Sequence, residues 1–508
     1  MGKSDRIQRK HENEAVKREQ KRQEEEIARS RSRLIKRITI PIVSVFALFL
    51  IVWSVLTGSG LIQRSMTAMT VDGIKISVAE FNYYYMNSVM DFQQTYSAET
   101  IASFGLSFSQ PLSAQMLDEE HTWQDYFEEE AIGSVKNIVM LSERAKAEGI
   151  ELTEDDHLAV TAFINGISES AGDQKIDRLL PSVFGKGTTV ANLTTTRERY
   201  QLAQRYVRHL QETVSVSPEE IEAEYAANKS SYDVSDFWAF NLNFAGEGLE
   251  GDALEARKAE VETTAQDVVE RIQNGESFAD LALEFAPEDQ KELFEDKDAT
   301  LTAGVKKSVA GNISADFSEW LFDPVRSEGD VSYFTTANAF VVAEFGKVYR
   351  DETPTRDVHH ILITPQADAN GVVTDQVYIE SSELAADLLV QFAEAGSTPE
   401  AFGHLAAEYS DDTASSAFGG FYANVQRGEM TIEFEEWLFD PERKPGDTGV
   451  TRTNYGYHAM FYTGEGLPSW EAYVKNAVID SKLGGDYEAW FNAIEVKQNK
   501  LGMSLTKA

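Results

Sequence analysis

A multidomain α+β fold is predicted by three observations: a length of 508 residues, a 19-residue uncharged run followed by helical periodicity, and two 14-residue phrases that agree at 10 positions. At roughly 100 to 200 residues per domain the length allows about three or four cores. The phrases are FSEWLFDPVRSEGD at 317–330 and FEEWLFDPERKPGD at 434–447, so one unit occurs twice in tandem. The predicted order is an apolar N-terminal helix, a helical lobe, two α+β units and a helical tail. With 42% hydrophobic and 26% charged residues, the chain is neither collagen-like nor wholly disordered.

Residues 1–37 form a basic arm, carrying 13 Lys or Arg against 7 Asp or Glu, and the net charge of −38 therefore leaves about −44 on the rest. That acidic bulk repels phosphate backbones, and no nucleic acid partner is expected. Next comes ITIPIVSVFALFLIVWSVL at 38–56, long enough to span a bilayer. A transmembrane helix over 38–57 in contact with the lipid bilayer is predicted; its apolar core is longer than that of a secretory signal, while Gly58 and Ser59 in the exit Thr57-Gly58-Ser59-Gly60 leave cleavage open. Lys36 and Arg37 abut the run on its N-terminal side, so the positive-inside rule places 1–37 in the cytoplasm and residue 66 onward outside, in a single-pass cell-membrane protein.

A helical lobe is predicted over 66–232. It opens with a strand pair turned at Asp72-Gly73 and a helix capped by Ser77, then continues in amphipathic helices at 118–147, 151–170, 187–215 and 217–228. Ser217-Pro218-Glu219-Glu220 is a helix start with Pro in the first turn. The α+β units follow at 237–348 and 355–465. In the second, strands are predicted at 358–363 and 456–462 and helices at 381–395, 399–409 and 432–439. The phrases SFADLALEFAPED at 277–289 and AFGHLAAEYSDDT at 401–413 are offset by 124 rather than 117, which makes the first unit seven residues longer between anchors.

Cysteine is absent, which excludes disulfides, thiolate metal sites and a cysteine nucleophile. No HExxH spacing, Walker loop, GxGxxG fingerprint or GxSxG elbow occurs in a supporting context, and neither a metal nor a cofactor is expected. Scattered Ser, His and Asp are all that would favour a hydrolase.

The second unit carries HHILI at 359–363, FGHLAAEYSDD at 402–412, Gly419-Gly420, RGEM at 427–430, FEEWLF at 434–439, PGD at 445–447 and YGYH at 455–458. In this order the blocks resemble the parvulin family of peptidyl-prolyl isomerases. The flanking lobe and the tail at 467–508 are similar to extracytoplasmic foldases of the PrsA and SurA type, which implies a SurA-N-like chaperone lobe with the C-terminal helices packing back on it.

The chemistry implied is rotation about an X-Pro amide, whose barrier of about 18–20 kcal/mol arises from C–N double-bond character. No bond breaks, so neither metal nor nucleophile is required. The resemblance makes His360, Asp412 and His458 the catalytic candidates, Met430 and Phe434 the proline socket, Phe421 part of the adjacent apolar wall, and Thr453 a polar neighbour of the site. Either histidine alone reads more simply as a core residue; their joint fit to the pattern reverses that. His359 and His404 are assigned to structure or solvent. One block departs from the family, whose GGDLG reads Gly419-Gly420-Phe421-Tyr422-Ala423 here.

The first unit has no histidine in its opening strand at 237–242, carries Val341 where the partner histidine belongs, and lacks the Gly-Gly loop. It resembles a degenerate parvulin unit, with Phe317, Trp320, Leu321 and Phe322 as core or peptide-contact residues. The whole reads as a membrane-tethered foldase for unfolded or partly folded secreted polypeptides. The alternative is a non-catalytic holdase or assembly scaffold. Pairing into a homodimer is left open by the sequence.

Overall fold

The computed structural model describes residues 59–170, 175–246, 249–287, 291–296, 298–367 and 372–506. The basic arm (1–37) and the expected span (38–57) lie outside them. Among the described residues no helix is long and apolar enough to cross a membrane. The chain divides into two compact units, one containing the residues up to 139 with 171–196 and 494–508, the other containing 140–170 and 197–493.

In the first compact unit β1 (Thr67–Val71) and β2 (Ile74–Ser77) form an antiparallel hairpin. Its two turn residues, Asp72 and Gly73, both take positive φ (47° and 83°), the backbone hand that matches strand twist in a two-residue turn. Ser77 then caps α1 (Val78–Thr95) by accepting the Glu80 N–H. Phe92 of α1 meets Trp123 and Phe127, at the start of α2 (Trp123–Ala147), with ring centroids 5.5 Å away in each case. Tyr96 and Phe104 extend this aromatic cluster yet remain 40% and 45% exposed. A third strand, Val496–Gln498, pairs with β1. The tail was expected to be helical to residue 500; its backbone instead becomes extended, supplying partners for the free edge of β1.

The second compact unit takes in α3 (Glu154–Ser170) and, from Arg197 on, α4 (Val190–Thr213). α5 (Pro218–Ala227) begins at a full capping box between Ser217 and Glu220. The first four-stranded sheet is built from β3 (Val234–Asn243), α6 (Gly251–Gln273), α7 (Phe278–Phe285), β4 (Leu301–Lys306), α8 (Ala315–Leu321), β5 (Val331–Thr335) and β6 (Ala339–Tyr349), in strand order β4-β3-β6-β5. Period-two alternation sends Phe240, Leu242 and Phe340 to a core with α6 and α7, and Phe237 and Phe345 to a second core with Phe317 and Leu321 of α8.

The same plan repeats in β7 (Pro354–Ile363), α9 (Asp375–Glu394), α10 (Pro399–Tyr409), β8 (Phe421–Val425), α11 (Ile432–Leu438), β9 (Thr448–Arg452) and β10 (Tyr457–Pro468), with order β8-β7-β10-β9 and every pairing antiparallel. Three details differ from expectation. Both edge strands, β8 and β9, are additional, and α9 starts at Asp375 because Thr374 accepts the Val377 N–H as its cap.

Helices outside the repeats pack on this second sheet unit. α3 rests against α10 and the turn at Ser416–Phe418, with Asp155 Oδ1 2.7 Å from His404 Nδ1, and the Arg208 guanidinium of α4 covers the Phe418 ring at 4.0 Å. α12 (Ser469–Ala493) packs on α5, where Trp470 meets Tyr225 edge-on at 5.2 Å and Lys482 pairs with Glu220 at 2.7 Å.

Candidate active site

β7 and β10 are neighbouring central strands, and their register sets His458 opposite Leu362 and His360 opposite Met460. Residues two apart on a strand share a face, so both imidazoles stand on the same side of the sheet. The rings lie 5.3 Å apart at 22°, with His360 Nδ1 3.1 Å from His458 Nδ1. Both residues are buried, at 4% and 6% exposure.

Asp412 reaches them from the loop after α10. That loop is fastened to β7 by the Asp411 N–H on the Leu362 carbonyl (2.8 Å) and by Ser410 Oγ accepting the Leu362 N–H (3.1 Å). The loop returns through Gly420, whose φ of 63° and contact with the His360 carbonyl leave no room for a Cβ. His359, on the opposite face, supports the same turn with its Nδ1 2.7 Å from the Gly419 carbonyl oxygen. Asp412 Oδ2 accepts His360 Nε2–H at 2.9 Å, Tyr422 O–H at 2.9 Å and the Ser415 hydroxyl, while the Ala414 N–H reaches Oδ1 at 3.1 Å.

Burial alone would raise the Asp412 carboxyl, but the hydrogen bonds from His360 and Ser415, with the His360 charge and the Tyr422 bond, hold it well below the usual carboxylate range. His458 moves the other way: burial first, then the neighbouring His360, push it down to about 4, against the smaller pull of Asp412. His458 is therefore neutral at physiological pH. With His458 neutral, one proton placement satisfies every contact of the chain. His360 gives Nε2–H to the carboxylate and accepts at Nδ1 from His458 Nδ1–H, and His458 Nε2 accepts the Thr453 hydroxyl at 2.9 Å. The result is a relay, Thr453 to His458 to His360 to Asp412, with all dipoles pointing toward one carboxylate.

Beside the relay the surface is apolar. Phe434 of α11 stands nearly perpendicular to both imidazoles, with centroids 5.7 Å from His360 and 5.4 Å from His458, and is 3% exposed. Met430, half-buried, packs in the same cluster with Val358, Leu438 and Met460. It precedes α11, so the four-residue spacing to Phe434 is not a helical one.

The structure thus gathers His360, Asp412, His458, Thr453, Phe434 and Met430. Phe421 requires correction: paired with His359, it faces the opposite side of β8 and lies tilted against that histidine at 4.8 Å, away from Phe434. Its neighbour Tyr422 occupies the site face instead, with its ring 5.2 Å from His360. Tyr422 and Ser415 were not identified from the sequence. The available signal was alternation itself, since a strand that turns Phe421 toward His359 turns Tyr422 toward His360.

In the first sheet unit the equivalent register sets Val341 opposite Asn241 and Phe334, just as His458 lies opposite Leu362 and Thr451. Counting two residues back from Asn241 gives Ala239 in the place of His360. On β4, Thr302 pairs with Phe237 as Tyr422 pairs with Val358. Small side chains at these three places border a cavity of about 930 Å³, lined by Ala239, Asn241, Thr302 and Val341 among others.

A family model described as the PPIC-type PPIASE domain matches residues 344–463, the second sheet unit. Foldase protein PrsA 1 of Listeria monocytogenes is 32% identical over 139 residues, 27% of this chain and 40% of that protein. The chain thus spans less than half the length of that relative. Chaperone SurA of Chromohalobacter salexigens is 26% identical over 321 residues, 62% of this chain and 68% of that one. A crystal structure of peptidylprolyl isomerase (PrsA) from Bacillus anthracis is similar at 20% identity, covering 49% of this chain and 94% of that chain with a TM-score of 0.18. The second sheet unit, with its paired histidines over one sheet face, is thus similar to the PPIC-type PPIASE domain, and the chain is similar over part of its length to the PrsA and SurA proteins.

Proposed function

We propose that this protein is an extracytoplasmic foldase, tethered through residues 38–57, that catalyses cis-trans isomerisation of X-Pro bonds in secreted polypeptides. The observation that carries the reading is the hydrogen-bonded relay from Thr453 to the Asp412 carboxylate set against the Phe434 and Met430 surface. An X-Pro amide twisted out of plane loses its C–N double-bond character and its charge distribution changes. A site that seats the proline ring on Phe434 and faces the amide with dipoles already oriented binds the twisted form better than either planar isomer, which lowers the barrier. No proton needs to leave the substrate, consistent with a histidine held neutral rather than poised near pH 7.

Client retention is assigned to the helical lobe and the first sheet unit. Tyr96, Phe104, Met116 and Leu117 in the helical lobe are exposed at 40%, 45%, 56% and 41%, and such apolar side chains suit contact with unfolded chain. The cavity in the first unit suits the same task without turnover. These features also favour the second reading, a non-catalytic holdase or assembly scaffold in which neither sheet unit turns over.

The test uses the full-length protein with a panel of X-Pro peptides. Acceleration that is lost in His458→Ala supports the isomerase reading. Suppression of client aggregation with no acceleration on any peptide supports the holdase. Protease added to intact cells should remove the chain beyond residue 66 and spare the arm; a soluble protein starting near residue 60 would contradict the tether.

A further inference from the structure

Tyr422 stands where the family pattern GGDLG has leucine, and the acidic residue of that pattern is replaced by Phe421. Leucine cannot donate a hydrogen bond; tyrosine can, and here its hydroxyl lies 2.9 Å from Asp412 Oδ2. The same ring lies tilted against His360 and belongs to the apolar cluster of Phe434 and Met430. A single side chain therefore touches the carboxylate that ends the relay, the imidazole that binds that carboxylate, and the cluster that forms the socket. Among the residues gathered at the site, Tyr422 alone does all three.

We infer that Tyr422 is a positioning residue of the isomerase site, holding Asp412 ionised and His360 in its Nε2–H tautomer while it closes one wall of the socket. Three donors converge on Asp412 Oδ2, and each favours the anion. Burial and the adjacent Asp412 charge push the Tyr422 phenol up to about 12, so it stays protonated and can only donate to the carboxylate. Asp412 lies at the start of the loop that Gly419 and Gly420 close, and the Tyr422 bond ties that start to β8 across the turn.

The inference rests on the isomerase reading, and the test separates the two. Tyr422→Phe keeps the ring and removes only the donor; Tyr422→Leu restores the family residue and removes both. For full-length Tyr422→Phe, kcat on an X-Pro peptide should fall roughly three- to tenfold, less than the full scale of one hydrogen bond to a charged group because His360 and Ser415 still donate to Asp412, with KM within about twofold because the socket wall remains. The fall should vanish in an Asp412→Asn background, where no anion is left to hold. Tyr422→Leu should raise KM as well. Independently of turnover, ¹⁵N-histidine NMR, with only eight histidines to assign, should show one fixed tautomer each for His360 and His458 in the unmodified protein and mixed tautomers in Tyr422→Phe. Unchanged kcat with unchanged histidine shifts in Tyr422→Phe would overturn the inference. An unmodified protein inactive on every peptide would overturn the isomerase reading instead, and the NMR comparison would still decide the role of Tyr422.

Discussion

The two sheet units share a scaffold down to its irregularities and differ at the face that carries the relay. In each, the opening strand breaks register at one aspartate, Asp236 in β3 and Asp357 in β7, and in each that aspartate accepts the backbone N–H of an edge-strand residue with positive φ, Gly304 at 2.8 Å and Asn424 at 2.7 Å. Each also ties the turn before its third strand to the last strand, through Gly329 on Phe345 and Gly446 on Tyr462. Bulges and turns of this kind shape the sheet and are independent of which side chains stand on its faces. At the site, however, Ala239, Val341 and Thr302 replace His360, His458 and Tyr422. The lesson is that the backbone plan of this fold tolerates loss of the polar relay, so scaffold similarity alone does not identify an active unit.

The largest expected effect comes from emptying the socket in each unit. Phe434→Ala and Phe317→Ala each remove a ring that is almost fully buried, at 3% and 0% exposure, and should each cost about 3–5 kcal/mol in denaturant unfolding. Only Phe434→Ala should also abolish peptide isomerisation at concentrations where the protein remains folded. A matching loss of turnover in Phe317→Ala would remove the functional distinction between the units.

Replacing His458 or Asp412 should lower kcat by roughly tenfold or more while aggregation suppression of a proline-free client stays the same. Val341→Ala, at the equivalent position of the first unit, should leave kcat untouched. A kcat for His458→Ala equal to that of the unmodified protein would sink the relay.

Acid should separate the units. His458 titrates near 4 when folded but near its ordinary 6.5 when unfolded, and His359 is also lowered by burial. A depressed histidine favours folding fully above about pH 6.5 and progressively less as the unfolded chain takes up protons, down to about pH 4, for at most about 3 kcal/mol from His458. Asp412, depressed as well, adds its loss only below the ordinary carboxylate range. The first unit contains no histidine. Calorimetry between pH 7.5 and 4.5 should therefore show the transition of the second unit moving down and that of the first nearly still; a shift of equal size in both would show that the buried histidines do not govern acid stability.

The smallest effects should be the matched ones. Asp236→Ala and Asp357→Ala each remove the acceptor of one bulge and should cost about 0.5–1.5 kcal/mol, with turnover changed little by either. A cost several times greater in one unit would show that the shared irregularity is not equivalent.

Much of this architecture was legible in the sequence because it depends on local chemistry. The Ser217 capping box, the Asp72-Gly73 turn and the repeated FxEWLFDP phrase each specify a local conformation through a few adjacent residues. The pair His360 and His458 was legible through its motif context, although the residues are 98 apart in sequence. The edge strands β8 and β9 were not, since short edge strands carry little alternation of their own and are defined by the partner they hydrogen-bond.

By itself the sequence determined the tandem repeat and the helical and sheet segments, because periodicity and short motifs encode these directly, while His360, His458 and Asp412 were singled out by the resemblance of their motifs to a family. Only the tertiary structure decided which side of β8 faces the site, giving the role expected of Phe421 to Tyr422, since strand register follows from pairing with β7 rather than from composition. It also decided the support beneath the loop that carries Asp412: α3 and Arg208 of α4, more than 200 residues before Phe418, hold the turn that follows Asp412. A contact of that separation depends on how the chain returns through space, and a stacked guanidinium leaves no periodic trace in either segment.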